Sequence, residues 1–573
     1  MVNYGDKIAF LNQFDIIQGV KIGRFIMDKK IKIKFNIIAI ICIVMFCMAL
    51  TPITFQNDTF YTIKIGEHII NNGIDMHDPF SIHDIPYTYP HWLYDVATYL
   101  IYNTFGFTGL YITTMILACI LGITVYVTNK KIVKNDLISF ILTLGVMCVL
   151  KSFIAARAQL VTFILFALTI YFIEEFLETK KKRYLLGLII IPIIIANVHL
   201  AVWPFYFVIF LPYIAEYVIV SILDSHFAIK MVMNIKRYQI KKLSNKPENE
   251  AKVKKIQEQL SNVEQKFEIY KEKIAEKRKS PYKIKLEKNN ATKILIIIFI
   301  LCLFTGLLTP LGDTPYTYLV KTMQGNTTQS INEHQPMVLI NTKHAIVILA
   351  IVLGILIFTD TKIRLRDLFM IGGLIILALM TKRQLSMLAL LGVVGVNRLI
   401  CDLIQKYDKD GTNQMTKAMV SGFGIPITIL IVVIISTLYY GQIVGSKYVK
   451  TSAYPVEASK FIKENLDLSK IRIYNEYNYG SYLLFEGIPV FIDSRADLYT
   501  PEFNNDEEKD IFTDFLNVSS LSIYYEDIFE KYDITHLVIP ASAKMGIFIK
   551  KDENYNKIYS DDNFVIYERL NNK

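Results

Sequence analysis

The stretch QNDTFYTIKIGEHIINNGIDMHDPFS, Gln56 to Ser81, decides how this chain is read. An apolar run stops at residue 55, and the chain at once presents Asp58, Glu67, Asp75 and Asp78 around an NNG turn at 71–73. A helix needs about 20 mainly apolar residues to cross the hydrocarbon core, so the run before Gln56 reads as a span and the acids as the first loop beyond it.

Working outward, the 573 residues are 53% hydrophobic and 20% charged, too apolar for an ordinary soluble protein. Hydropathy places about eleven spans, at 37–55, 109–128, 136–153, 159–177, 184–203, 205–223, 293–311, 344–360, 367–382, 384–402 and 417–440. The boundary at 382–384 is open, since the two segments there also read as one bent pair. All six cysteines fall inside these runs, which argues for buried small residues rather than disulfides or a metal cluster. No cleavable leader is expected: a basic stretch precedes the first run, which then serves as the signal itself. Abundant Ile, Lys and Asn fit an AT-rich bacterial genome.

Lysine and arginine set the orientation. Lys21, Arg24, Lys29, Lys30, Lys32 and Lys34, then Lys130 and Lys131, Lys180 to Arg183, the long segment after residue 224, and Lys362, Arg364 and Arg366 all fall on one side when the helices are counted. That side reads as the cytoplasm of a plasma membrane, with the N-terminus inside. The plan is a basic N-terminus at 1–36 and a membrane domain at 37–440, whose outer loops are 56–108 and 312–343. A cytoplasmic insert occupies 224–292, and an extracytoplasmic domain follows at 441–573.

The insert from Lys230 to Lys288 holds 18 Lys/Arg against 8 Asp/Glu, a net of +10 equal to the formal charge of the whole chain. Inside it Val253, Ile256, Leu260, Val263, Phe267, Tyr270 and Ile274 repeat at steps of three and four, an a/d seam. Two readings stay open: a helix along the anionic inner leaflet, or a coiled coil through 252–279 with itself or a partner. Nucleic acid is not an expected partner, because no aromatic platform or known module accompanies the charge.

The tail has the alternating pattern of a small α/β layer. The expected order is a helix near 455–466, strand IRIYN at 471–475, a helical segment YGSYLLFEG, and strand PVFID at 489–493. A helix near 518–531, strand THLVIP at 535–540, and closing strands NKIYSD and NFVIYER complete it. Asp493, Arg495, Asp497 and Tyr499 follow the PVFID segment. They read either as ligand contacts beyond a strand end or as a network that fixes the tail to the membrane part. Gly-rich phosphate loops, zinc-ligand spacings and serine-nucleophile motifs do not occur in the tail.

In the first loop, Asp75 and Asp84 read as solvated turn acids. Asp58 is different: at the end of an apolar helix its carboxylate is placed to accept a proton or hold a metal. An acid just after the first span, an aromatic close behind, a glycine turn, DPF at 78–80 and YPHW at 89–92 leading into the next helix resemble the first external loop of GT-C membrane glycosyltransferases. That superfamily includes protein O-mannosyltransferases, aminoarabinose transferases and the catalytic subunit of oligosaccharyltransferases. Many helices followed by an external C-terminal domain fit the same plan.

The resemblance implies a polytopic α-helical membrane enzyme that takes a sugar from a polyprenyl-phosphate donor and passes it to an envelope glycan, lipid or protein. It makes Asp58 the general base or the residue that orients the acceptor, with Asp78 and Glu67 as rival second acids. In the oligosaccharyltransferase branch the second loop acid helps hold a divalent cation, so a Mg or Mn ion, if this chain uses one, would lie at Asp58 and Asp78; Asn57-Asp58 stands where other members show paired acids, a departure that argues against a metal.

A departing phosphate calls for cations at outer helix ends, and ARAQ supplies Arg157 and Gln159, ANVHLAVW supplies Asn197 and His199, and TKRQ supplies Lys382 and Arg383. Each cation is equally a residue reaching for lipid headgroups, and His199 a packed core histidine. In the second outer loop Glu333 and His334 are substrate-contact candidates or an exposed turn. The competing classes are a transporter or flippase of a lipid-linked or anionic solute, and a non-catalytic envelope assembly protein.

Overall fold

The computed structural model describes residues 29–570, except 226, 245–248, 280–282, 339–342, 409, 505, 507 and 508. The expectations for Lys21 and Arg24 in the N-terminal arm, and for the last residues of the 312–343 loop, lie outside the described residues.

The chain is a multi-pass helical membrane protein with a C-terminal sheet-containing domain. Its first helices are α1 (Lys29–Leu50), α2 (Asn57–Asn72), α3 (Trp92–Val133), α4 (Asp136–Leu150), α5 (Ala158–Thr179), α6 (Arg183–Val198), α7 (Trp203–Val208) and α8 (Leu211–Ser225). The insert carries α9 (Phe227–Leu243) and α10 (Glu250–Lys279). Then follow α11 (Thr292–Cys302), α12 (Thr314–Gln324), α13 (Thr327–Ser330), α14 (Lys343–Phe358), α15 (Leu365–Met380), α16 (Leu385–Tyr407), α17 (Gly411–Met419) and α18 (Gly424–Tyr440).

Every one of the eleven apolar runs holds helix, yet among the described residues only six helices are long and apolar enough to cross a membrane, or seven if the α17–α18 pair, bent by 86°, counts as one span. Hydropathy sees apolar content and not where a helix stops. The 293–311 run, for example, leaves its α-helix at Cys302 and ends in the turn-forming TPLG at 309–312. The 382–384 boundary resolves into a short turn, Lys382–Gln384, between two helices.

Loop 56–108 is largely helical. α2 lies against the first limb of α3, which changes direction at Gly106, where φ is 61°. The contact between them requires glycine at position 66: a Cβ there would sit 2.1 Å from the Asp95 carbonyl oxygen. Two cores result. One fills the helical bundle, around Cys42, Phe46, Tyr126, Phe166 and Leu391. The other unites α2 and the loop behind it with the tail, so the tail is not a separately packed domain. Phe60 of α2 makes edge contacts with Tyr454 and Tyr482 at centroid distances of 4.9 and 5.1 Å.

The tail adds α19 (Val456–Asn465) and α20 (Tyr477–Phe485). With the insert strand β1 (Ile284–Lys285) and β2 (Ile363–Arg364) counted first, its sheet comprises β3 (Ile473–Tyr474), β4 (His536–Pro540), β5 (Tyr555–Ser560) and β6 (Phe564–Arg569), in the order β3-β4-β6-β5. β3 and β4 are parallel and the other two pairings antiparallel.

Two local expectations fail. PVFID is not a strand of this sheet: Val490 bridges to Ser81, with Ile82 N donating to Val490 O at 2.9 Å, so its backbone pairs with the outer loop instead. The helix expected at 518–531 is two, Ile511–Ser520 and Tyr525–Lys531, broken where Leu521 takes a left-handed φ of 58°.

The insert is a helical hairpin. Val253, Ile256, Leu260 and Val263 are half-buried and Phe267 buried on the side of α10 that meets α9, and Arg237 pairs with Glu264 at 2.8 Å. The described part of the a/d seam therefore faces α9 of the same chain. Tyr270 and Ile274 fall outside the described side chains.

The bundle also contains charge that hydropathy did not predict. Arg398 of α16 reaches Glu174 of α5 and Asp367 of α15, both at 2.5 Å, while Arg366 lies 3.6 Å from Glu174 and from Glu216 of α8. Buried ions persist when paired in this way, and the network ties four helices together.

Candidate active site

A cavity of about 590 Å³ opens between the tail-side ends of the bundle and the tail. Its wall brings together Asp58, Arg157, Gln159, His199, Glu333, His334 and Arg383, which are drawn from five separate stretches of sequence.

Asp58 stands in the first turn of α2 rather than at the end of α1, and its carboxylate is ion-paired with Arg157. A negative charge in a first turn is favoured by the helix dipole by about 0.3–1 kcal/mol. The backbone around the pair is pinned from both sides. Thr59 Oγ1 donates to Ala156 O at 3.3 Å, and Asn57 Nδ2 donates to Tyr477 O at 2.9 Å, which sets this turn between the bundle and the tail.

The second cation, Arg383, lies 4.0 Å from Glu333 and 3.5 Å from His334 Nε2. Backbone pairing holds the two stretches in register: Arg383 N donates to Glu333 O, and Lys382 N to Gln335 O, both at 3.0 Å. Burial works to raise the Glu333 pKa, but Arg383 and Arg157 outweigh it and hold the carboxyl below its usual range. His334 is shifted down by burial and by Arg383.

Two imidazoles complete the wall. The rings of His91 and His199 are 5.0 Å apart. Burial, reinforced by Arg383, brings His91 down to about 4, and His199 is also lowered, by burial, His91 and the arginines. Thr162 Oγ1 donates to Ala158 O at 3.1 Å, so the 3.0 Å contact with His199 makes Nδ1–H the donor and leaves Nε2 as an acceptor. At neutral pH both rings are uncharged, and the cavity's positive charge resides on its arginines, Arg157, Arg383 and Arg495.

Four of the anticipated residues do not line this cavity. Asp78 is fully buried against Arg495, with Oδ1 at 2.7 Å from Nη1, and Arg495 holds its pKa down despite the burial. Glu67 is part-exposed and paired with Lys64 at 2.7 Å. Asn197 accepts from Trp92 Nε1 at 3.2 Å and donates to Leu308 O at 2.9 Å. Lys382 donates to Asn332 Oδ1 at 2.5 Å.

A divalent cation at Asp58 and Asp78 does not fit this arrangement. Each acid faces an arginine, Asp78 lies off the cavity wall, and no set of three His, Cys, Asp or Glu side chains converges among the described residues.

The cavity also recruits residues that the loop motifs did not single out: His91, Tyr94, Tyr318, Tyr477, Arg495 and Asp497. His91 was legible in YPHW. Arg495 and Asp497 were legible after PVFID, and their contacts with Asp78, Tyr318, Thr322 and Thr327 are those of a network that fixes the tail to the membrane part; Tyr318 and Tyr477 carry no local mark of a contact made across the chain. Arg495 is clasped by Asp493 at 2.6 Å as well as by Asp78, and Tyr499 donates to Asp493 at 2.7 Å. Asp497 accepts from Tyr318 Oη at 3.2 Å and from Thr322 and Thr327 at 3.1 Å, which fastens α12 and α13 over the cavity.

A second, apolar pocket of about 360 Å³ adjoins the first inside the bundle, between α8, α15 and α16. The two share Phe205, Leu377 and Gln384.

No protein-family model matches the chain, and none of the curated proteins matches it. Among solved structures it is similar to the Archaeoglobus fulgidus oligosaccharyltransferase tethered to an acceptor peptide, with a TM-score of 0.49 and 12% identity over 93% of this chain and 74% of that one. It is also similar to ArnT from Cupriavidus metallidurans bound to undecaprenyl phosphate, with a TM-score of 0.44 and 9% identity over 93% of this chain and 97% of that one. At these scores neither likeness bears on the activity of this chain.

Proposed function

We propose that the chain is a membrane glycosyltransferase of the GT-C kind, which moves a sugar from a polyprenyl-phosphate donor to an acceptor hydroxyl on the outer side of the plasma membrane. The observation that carries this reading is the junction of the two cavities. A chamber with charged groups set in its wall, the Asp58–Arg157 pair and Arg383 among them, meets an apolar pocket inside the bundle at Phe205, Leu377 and Gln384. A lipid-linked phosphate has that same division, an apolar chain joined to a charged head.

In this reading the lipid occupies the apolar pocket and Arg157 and Arg383 bind the phosphate, since guanidinium forks match phosphate oxygens. Phosphate binding competes for Arg157 and so releases the Asp58 carboxylate. Asp58 then accepts the proton of the acceptor hydroxyl as its oxygen attacks the anomeric carbon. The bond from that carbon to the phosphate oxygen breaks, and the electron pair leaves with the lipid phosphate, whose charge the arginines stabilise. Neutral His199 Nε2 offers an acceptor for a substrate hydroxyl. The reading needs no charge translocated through the bundle, where the buried ions are paired with one another.

Binding of a radiolabelled polyprenyl phosphate to the purified protein tests the phosphate site. Removing a charge-assisted hydrogen bond costs about 1.5–3 kcal/mol, so Arg383→Gln weakens binding by roughly 10- to 100-fold. Unchanged binding in both Arg157→Gln and Arg383→Gln contradicts the assignment.

A further inference from the structure

The outward face of α9 is left unexplained by the reaction cavity. We propose that it is a docking surface for anionic lipid headgroups of the leaflet on the insert side of the membrane.

The hairpin is rooted at the membrane at both ends. α9 starts one residue after α8, which belongs to the span Leu200–Leu223. On the return, β1 pairs in parallel with β2, immediately before α15 enters the bundle. One side of α9 is spent on α10: Met233 is buried there, Lys236 donates to Gln259 at 2.8 Å, and Arg237 meets Glu264.

The other side carries Met231, Val232, Ile235 and Tyr238, which are 52%, 43%, 46% and 67% exposed. At 3.6 residues per turn these four fall within an arc of roughly 120°. Lys242 falls inside the same arc and Lys241 and Lys230 lie roughly 60–80° beyond one edge of it, and α9 as a whole has five Lys/Arg and no Asp or Glu.

This is the composition of a helix that lies in a membrane interface, apolar side chains in the headgroup boundary and cations on anionic lipid. Tyr238 is of the residue type enriched at that depth. Charge argues for lipid over a protein partner. Acidic side chains on the hairpin are confined to α10 and the link before it, so the outward face of α9 presents only apolar and cationic groups. It also continues from α8, where Ile222 and Leu223 are 59% and 42% exposed on the bundle surface.

The test uses the full chain in proteoliposomes. An environment-sensitive fluorophore is attached at Ile235→Cys, at Tyr238→Cys and, as the control, at Gln257→Cys on the exposed surface of α10; the unaltered chain gives the background from native cysteines. With phosphatidylglycerol present, the labels at 235 and 238 shift to the blue and are quenched severalfold more by chain-labelled lipid than the label at 257. Omitting the anionic lipid, or combining Lys230→Glu, Lys241→Glu and Lys242→Glu, removes the contrast. Water-like, unquenched labels at 235 and 238 overturn the proposal. So do labels that are shielded but not quenched by lipid, which would mark a second copy or a protein partner on this face.

Discussion

Arg495 Nη1 stands 2.7 Å from Asp78 Oδ1, joining the tail to the first outer loop across 417 residues of sequence in a fully buried contact. Asp493 holds the other edge of the guanidinium, so one cation is shared between two carboxylates. Removing one member of a buried pair strands the other and costs about 3–5 kcal/mol. Arg495→Leu is therefore expected to lower the thermal midpoint in detergent sharply. Lys64→Ala, at the part-exposed Lys64–Glu67 pair, shifts stability by about 1 kcal/mol or less.

Acid should loosen the same junction through His83. Its Nε2–H donates to Phe491 O at 2.9 Å, and burial brings its pKa down to about 4 against about 6.5 in the unfolded chain. Between these values the unfolded state binds the extra proton, so this contribution falls as pH drops from about 6.5 to about 4, by roughly 3 kcal/mol in all. Urea denaturation across this range, compared with His83→Gln, should show that slope in the parent and its loss in the variant.

Asp497→Ala removes the acceptor for Tyr318, Thr322 and Thr327. Hydrogen bonds to a charged group are each worth about 1.5–3 kcal/mol, so the segment carrying α12 and α13 should open more often. Limited proteolysis should cut within 314–330 at least roughly tenfold faster, and Asp497→Asn, which keeps one acceptor oxygen, should lie between.

Gly66→Ala tests the seat of Asp58. The new Cβ would meet backbone, the Asp95 carbonyl, which cannot rotate aside. Overpacking costs of about 1–3 kcal/mol or more follow, and the measurement is the yield and thermal midpoint of the purified variant.

Much of this architecture was legible in the sequence because hydropathy and heptad spacing are local signals. Asp58, Arg157 and Arg383 could be named because each stands at the edge of an apolar run. What failed was non-local. The heptad in α10 was visible but not that its partner is α9 of the same chain. PVFID has the composition of a buried strand, and only the fold sends its backbone to Ser81 and Ile82. Asp78 looked like a second acid of the site until Arg495 appeared beside it, and a side chain's counter-ion cannot be read from its neighbours in sequence.

The most direct measurement is release of labelled sugar from a panel of polyprenyl-phosphate sugars by the purified protein, compared with Asp58→Asn. The variant keeps the shape of the side chain and removes the base. The account predicts turnover with at least one donor, a loss of roughly 100-fold or more in Asp58→Asn, and polyprenyl phosphate binding that is retained. Turnover that is undiminished in Asp58→Asn would contradict the assignment of Asp58 as the base.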